Sequence, residues 1–345
     1  MKSTLLIILV ALAAPVIGQT SLPPYTGTGT PGDAFGQSVV AGDFDGDGLT
    51  DVAIGKPQAT FGTVPTCGAV EMRMGDGTTR TIGSLDSLGN FVGNGGGAFG
   101  WSLAAGDLDQ NGKDELVVGA PAEGSSPPLY GGQHYVFNDL DYVASTGVWV
   151  SRYVAGTNQA QTKLGWSVTV LPHPAGVPGS MAWAAGSPDG AQINGGARRG
   201  YVDVYDGATG AFITSVGPTE TTPAPPLGRM KFGSQIVGGD FDGDGLGDLA
   251  VNGYNQLVSS AYRLIWVLRS GWPQYYYAIT TNGMMDGVIV GGAGLLSLAM
   301  PGDVNGDGVD DLMWADPSQF SNPLDPSGSV FFRNCLAGQW AFRER

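Results

Sequence analysis

The chain has 345 residues, among them 58 Gly and 22 Pro, and sets 31 Asp plus Glu against 16 Lys plus Arg for a formal net charge of −15. No basic stripe is present to follow a phosphate backbone, which argues against nucleic acid as a partner. Glycine and proline at this level, without any long window of helical apolar periodicity, exclude a helical bundle and point to many tight turns between short strands.

Taken from the start, Lys2 precedes an almost wholly apolar run from Thr4 to Gly18, ending on the small-residue stretch Val16-Ile17-Gly18. Residues 1–18 therefore read as an export signal, because the run is short for a spanning helix, which needs about 20 residues. No later stretch is long and apolar enough to cross a bilayer. The expectation for 19–345 is a secreted or cell-surface chain with no transmembrane anchor of its own.

From there one pattern recurs about every 64 residues. An apolar anchor opens each copy (Phe35, Phe99, Leu164, Phe232, Leu295), and Gly follows it in the first four. Eight residues after the anchor a loop begins, at Asp43, Asp107, Pro172, Asp240 and Asp303. Behind the loop comes a short strand, such as Asp51-Val-Ala-Ile or Glu115-Leu-Val-Val, and then a turn such as Gly55-Lys56-Pro57 or Gly119-Ala120-Pro121. A third strand-like run follows, starting near Gly68, Gly132, Gly200, Tyr262 and Gly328, and most copies add a fourth, as at Val148 to Val154 and Tyr275 to Ile279. The repeats fall near 33–97, 98–162, 163–230, 231–293 and 294–345. The Pro- and Gly-rich stretches at 124–128 and 219–226 do not interrupt the phase, so a single domain is expected. Four strands per copy is the content of a propeller blade.

The loops carry the charge. Fourteen of the 31 acidic residues are candidate metal-loop carboxylates in four of them, and the other 17 nearly balance the 16 Lys plus Arg. Such clustering is repulsive unless a cation neutralises it. In each nine-residue loop the expected ligands are the side chains at positions 1, 3 and 5, the backbone carbonyl at 7 and a carboxylate at 9. These are Asp43, Asp45, Asp47, Leu49 and Asp51; Asp107, Asp109, Asn111, Lys113 and Glu115; Asp240, Asp242, Asp244, Leu246 and Asp248; and Asp303, Asn305, Asp307, Val309 and Asp311. Gly at position 6 (Gly48, Gly112, Gly245, Gly308) lets the chain bend round the ion. An all-oxygen set suits Ca²⁺ over Zn²⁺, and over Mg²⁺, which prefers a tighter octahedron with retained waters. About four calcium sites are expected. The loop is no EF-hand, since position 12 holds Ile54, Val118, Val251 or Trp314 in place of Glu. The third copy, Pro172 to Ser180, contains no carboxylate and is expected to bind no metal.

Phe-Gly at the head of the copy and Gly-Ala-Pro behind the second strand make the chain resemble the FG-GAP repeat proteins, and in particular the β-propeller of integrin α subunits. The resemblance implies an all-β fold, a propeller of four-stranded blades round a central channel, with ligand held on the loop-bearing face or over the channel. Integrin heads use seven blades. Five repeats account for this chain, so five blades are expected, with six or seven as the alternatives. In a closed ring the blades holding Cys67 and Cys335 are neighbours, which leaves two readings, a disulfide or two separate thiols.

No catalytic constellation stands out. His134 and His173 are the only histidines, and neither sits beside a nucleophile motif. Trp101 and Trp166 follow the anchor Gly in consecutive copies, which reads as packing between blades; the run Trp272-Pro-Gln-Tyr-Tyr-Tyr is the better surface candidate. The functional expectation is an extracellular recognition or adhesion module for a protein or glycan ligand. The rivals are a lectin-like or polysaccharide-processing enzyme using blade pockets, and a structural part of an envelope or matrix.

Overall fold

The computed structural model describes residues 30–84, 95–123, 131–137, 148–149, 162–176, 179–190, 199–217, 231–255, 262–269, 287–291, 297–316, 329–333, 335–336 and 339–340. The expected export signal, the anchor Leu295 and the Trp272 run lie outside them. Every named element is a β-strand. No helix among the described residues is long and apolar enough to cross a membrane.

The strands form a β-propeller of antiparallel sheets built in chain order. The first sheet is β1 (Val39–Gly42), β2 (Asp51–Lys56), β3 (Ala69–Arg73) and β4 (Thr79–Ile82). The second is β5 (Ser102–Gly106), β6 (Glu115–Ala120), β7 (Gln133–Phe137) and β8 (Val148–Trp149). The third is β9 (Ser167–Pro172), β10 (Met181–Ser187), β11 (Tyr201–Asp206) and β12 (Phe212–Val216). The fourth is β13 (Gln235–Gly239), β14 (Asp248–Asn255), β15 (Tyr262–Leu268) and β16 (Gly287–Gly291). A fifth sheet pairs β17 (Ser297–Gly302), β18 (Asp311–Asp316) and β19 (Ser329–Arg333), and β20 (Cys335–Leu336) pairs with β21 (Gln339–Trp340). The outer strand of the fourth sheet is β16, a β-branched run that the repeat pattern does not single out. The expected run at Tyr275 lies outside the described residues.

The core lies between sheets, as stacking of sheets round an axis requires. One apolar cluster joins Val70 and Met72 of the first sheet to Phe99, Leu116 and Val118 of the second. Another joins Leu108 and Val117 of the second to Trp183 and Tyr205 of the third. Further seams join Val202 to Val251 and Ile265 to Trp314. At an apolar burial worth about 25 cal/mol per Å², these seams are the main force holding successive sheets together.

The repeat's glycines mark where backbones of adjacent blades touch. Gly119, the Gly of Gly-Ala-Pro, sits under the carbonyl of Gly165, so that a Cβ there would overlap the oxygen; Gly55 stands in the same relation to Gly100, and Gly186 to Gly233. The hydroxyls of Ser38, Ser102 and Ser167 donate to those same carbonyls, at 2.9, 3.0 and 2.8 Å. Each Phe-Gly or Leu-Gly is thus hooked to the blade before it, and its anchor pairs with Gly68, Gly132 or Gly200. Those three glycines have φ near +90° (91°, 80° and 87°), a region other residues adopt only under strain.

Trp101 and Trp166 pack on each other across this hook, ring centroids 4.7 Å apart. The two end faces of the series differ from the seams. Val39 of β1 is 60% exposed, although its repeat-mates Val168 and Ile236 are buried. Val304 is 58% exposed, whereas its repeat-mates Phe44, Leu108 and Phe241 lie buried beneath the following blade.

Candidate metal centres

Each acidic loop joins the first and second strands of its sheet, at the end of the blade opposite the Phe-Gly hook. The opening residue organises the turn. Asp43 takes the N–H of Gly46 on Oδ1 (2.8 Å) and that of Gly48 on Oδ2 (2.9 Å). Asp107 takes those of Asn111 and Gly112, Asp240 those of Gly243, Asp244 and Gly245, and Asp303 those of Gly306, Asp307 and Gly308. These donors hold the exposed Asp303 carboxyl below the usual range. The sixth-position glycines carry φ of 80–88°, as the sharp bend demands.

The closing residue is buried. Asp51, Asp248 and Asp311 are wholly inaccessible and Glu115 is 2% exposed. Each accepts the N–H of its loop's second residue: Phe44 to Asp51 (2.9 Å), Leu108 to Glu115, Phe241 to Asp248 (2.8 Å) and Val304 to Asp311 (3.0 Å). The second residue plugs the seam in three of the loops (Phe44, Leu108 and Phe241), and in all four its amide ties the ninth carboxylate beneath the loop.

This brings three carboxylates together in three loops. One oxygen from each of Asp43, Asp45 and Asp51 lies within 4.8 Å of the others, and the same holds for Asp107, Asp109 and Glu115 and for Asp240, Asp242 and Asp248. Asp47 and Asp244, at position 5, are not members of those groups. One oxygen of each accepts the N–H of the seventh residue, Leu49 at 2.7 Å and Leu246 at 2.8 Å. Asn111 and Asp307 do the same for Lys113 and Val309. The fourth acidic loop has Asn305 at position 3, where the other three have Asp, with the same turn bonds around it.

The donor set fits a hard cation. All of it is oxygen, and the second loop contains an orphan, because Glu115 Oε1 is buried without a hydrogen-bond partner. Burial, aided by the nearby charges of Asp109 and Asp107, pushes the Glu115 carboxyl up to about 7. Burial also raises Asp242, with Asp244 and Asp240 adding repulsion. A buried carboxylate with one oxygen unsatisfied is costly unless a cation meets it.

The third loop is built otherwise. His173 donates its N–H to the Ser180 carbonyl (2.7 Å), and its ring lies 3.3 Å from the Asp206 carboxylate. His134 is buried between Trp183 and Tyr205, and burial lowers it to about 3, so it is neutral. Cys67 is a buried free thiol whose Sγ donates to the Val64 carbonyl at 3.2 Å. The side chain of Cys335 lies outside the described residues.

The FG-GAP repeat description matches two stretches of this chain, residues 35–67 and 99–137. The chain is similar to integrin alpha-PS2 of Drosophila melanogaster, 29% identical over 235 residues, 64% of this chain and 15% of that protein. It is also similar to integrin alpha-5 of Xenopus laevis, 28% identical over 242 residues, 66% of this chain and 21% of that one. The match thus spans about a fifth or less of those relatives' length. Among solved structures, the exotype rhamnogalacturonan lyase YesX is similar at 16% identity and a TM-score of 0.31, covering 88% of this chain and 48% of that one. A likeness at that level carries no argument about activity.

Proposed function

We propose that residues 19–345 form a secreted, calcium-stabilised β-propeller that acts as an extracellular recognition module for a protein or glycan, released by removal of the signal at 1–18. The observation that carries this reading is the convergence of three carboxylates in each of three phased loops, with the orphaned Glu115 oxygen among them. Asp43, Asp45 and Asp51, with their counterparts in the loops at 107, 240 and 303, would hold the ions. A bound Ca²⁺ supplies positive charge that lets the buried ninth carboxylate stay ionised and fixes the loop to the strand behind it. The likeness to integrin α chains supports recognition as the role, as these subunits are extracellular or cell-surface proteins.

Five blades are proposed to close by setting Val304 of the last against Val39 and Leu49 of the first, exposed positions whose repeat-mates include buried ones. Pairing of Cys67 with Cys335 belongs to the same proposal, and forming the bridge requires the Cys67 thiol to leave its present pocket. Elemental analysis of the exported protein tests the metal reading: about four calcium ions per chain are expected, and none would overturn it. Mass spectrometry of the unreduced protein tests the bridge. Binding screens on glycan and extracellular-protein arrays, run with calcium and with chelator, test the recognition role; loss of binding in chelator is the expected result.

A further inference from the structure

The loops are joined in pairs by a residue outside the ligand set. At the first junction Asp114, the eighth residue of the second loop, donates its N–H to the Asp43 carbonyl (2.9 Å). Asp43 in turn donates its N–H to Asp114 Oδ2 (2.9 Å). At the last junction Asp310 donates to the Asp240 carbonyl (2.9 Å), and Asp240 donates to Asp310 Oδ2 (2.9 Å). Asp43 and Asp240 open their loops. Asp114 and Asp310 stand one peptide bond before Glu115 and Asp311, the buried carboxylates that close the next loops. Each two-bond clasp therefore fixes the first ligand residue of one loop to the backbone that positions the last ligand of its neighbour.

The third loop shows what the clasp requires. Its opening residue is Pro172, which has no N–H to give. The eighth residue of the following loop is Gly247, where a Cβ would overlap the Pro172 carbonyl oxygen. Donor and acceptor are thus missing together at that junction. Between the second and third blades, the loops touch instead through the Gln110 amide, which donates to the Gly179 carbonyl.

We propose that Asp114 and Asp310 are positioning residues that couple cation binding between adjacent loops, making 43–51 with 107–115 one cooperating pair and 240–248 with 303–311 another, with no coupling across the third blade. This rests on the calcium reading above. A cation drawing Glu115 into place orders Asp114, which holds Asp43 at its backbone; linkage makes the effect reciprocal. Asp114→Ala takes away the side-chain bond of the clasp and leaves its backbone bond, so a shift of about 3- to 10-fold in affinity is expected.

The test is hydrogen exchange on the full chain at graded calcium concentrations, read separately on peptides covering each loop. Glu115→Gln should raise the calcium midpoint of loop 43–51 about 3- to 10-fold and leave loop 240–248 unmoved. Asp114→Ala should raise the midpoints of both loops of the first pair and abolish the effect of Glu115→Gln on loop 43–51. Asp114→Asn, which keeps an acceptor oxygen, should restore it. If Asp114→Ala does not fold, the Glu115→Gln measurement alone decides. Saturable protection with a loop 43–51 midpoint indifferent to Glu115→Gln overturns the coupling and leaves the calcium reading standing. No calcium-dependent protection in the unmodified protein overturns both.

Discussion

Two kinds of junction join successive blades of this molecule. Between blades one and two, and again between four and five, acidic loops meet through an aspartate clasp above an apolar seam. Around blade three the loop carries no acid, and the seam below it is aromatic and polar: His134 lies between Trp183 and Tyr205, and Asp203 is buried on the same strand as Tyr205. The first kind concentrates charge that a bound cation would neutralise, so its strength is expected to depend on solution conditions. The second buries rings together with His134 and Asp203, and its loop offers no carboxylate to an ion. One repeat pattern thus supports two means of holding neighbouring sheets, and the choice is made by a few residues in one turn.

Removing calcium should separate the two kinds most strongly. A ligand that binds only the folded state adds about 2.7 kcal/mol at 100-fold over its dissociation constant. Four sites together can therefore match the ~5–15 kcal/mol that typically stabilises a domain. Thermal melts in chelator and in millimolar calcium should differ by well over 10 °C. Hydrogen exchange in chelator should rise first at loops 43–51 and 240–248, and last in β10 and β11. Equal midpoints in the two buffers would show that the acidic junctions need no ion.

The next effect belongs to the third blade. Asp203 is buried, and burial pushes its carboxyl up to about 7 against the Ser215 hydroxyl, which pulls it down. The folded chain then binds more protons than the unfolded chain between about pH 4 and 7. Stability from this group is full below about pH 4, falls as pH climbs, and levels off above about 7. The span, roughly three pH units at 1.36 kcal/mol each, amounts to about 4 kcal/mol. Asp203→Asn, measured in saturating calcium, should flatten this slope and melt higher than the parent at pH 8. Parallel pH profiles for the two proteins would place the sensitivity elsewhere.

The same β-sheet position is solved differently in each blade, and this marks what the sequence could reveal. Register places Glu71, Tyr135, Asp203 and Trp266 at equivalent sites on the third strands. Glu71 takes an ion pair from Lys56 at 3.1 Å, and Tyr135 donates to Glu123 at 2.7 Å. None of these partnerships recurs in the repeat, so none was legible from periodicity. The legible features are those that recur in phase from copy to copy, namely the loop with its sixth-position Gly, the second strand and the Phe-Gly hook. At position 5, one oxygen of Asp47, Asp244 and Asp307 accepts the amide two residues on, a short-range turn that the ligand spacing conceals. The clasp joins residues 71 and 70 positions apart, one repeat out of phase. Its trace in the sequence is the pairing of Pro172 with Gly247.

Disturbing the contact at Gly247 should cost less. Gly247→Ala forces a methyl against the Pro172 carbonyl, and overpacking of that kind typically costs about 1–3 kcal/mol. The loss should appear as a lower denaturant midpoint with an unchanged slope. Calcium affinity at loops 43–51 and 107–115 should stay constant, since that pair lies across blade three from the change.

The smallest effect tests whether the hooks are equal at both kinds of junction. Ser102 donates to Gly165 between blades two and three, and Ser38 to Gly100 between one and two, at nearly the same distance. Replacing either by Ala removes one hydrogen bond, about 1 kcal/mol net. In saturating calcium the two losses should agree, because the hook geometry is shared. In chelator the first seam loses its support from the loops above while the second never had a matching clasp. Ser38→Ala should then become the more damaging of the two. Equal losses in both buffers would mean that loop and hook, at opposite ends of the same inner strand, act independently.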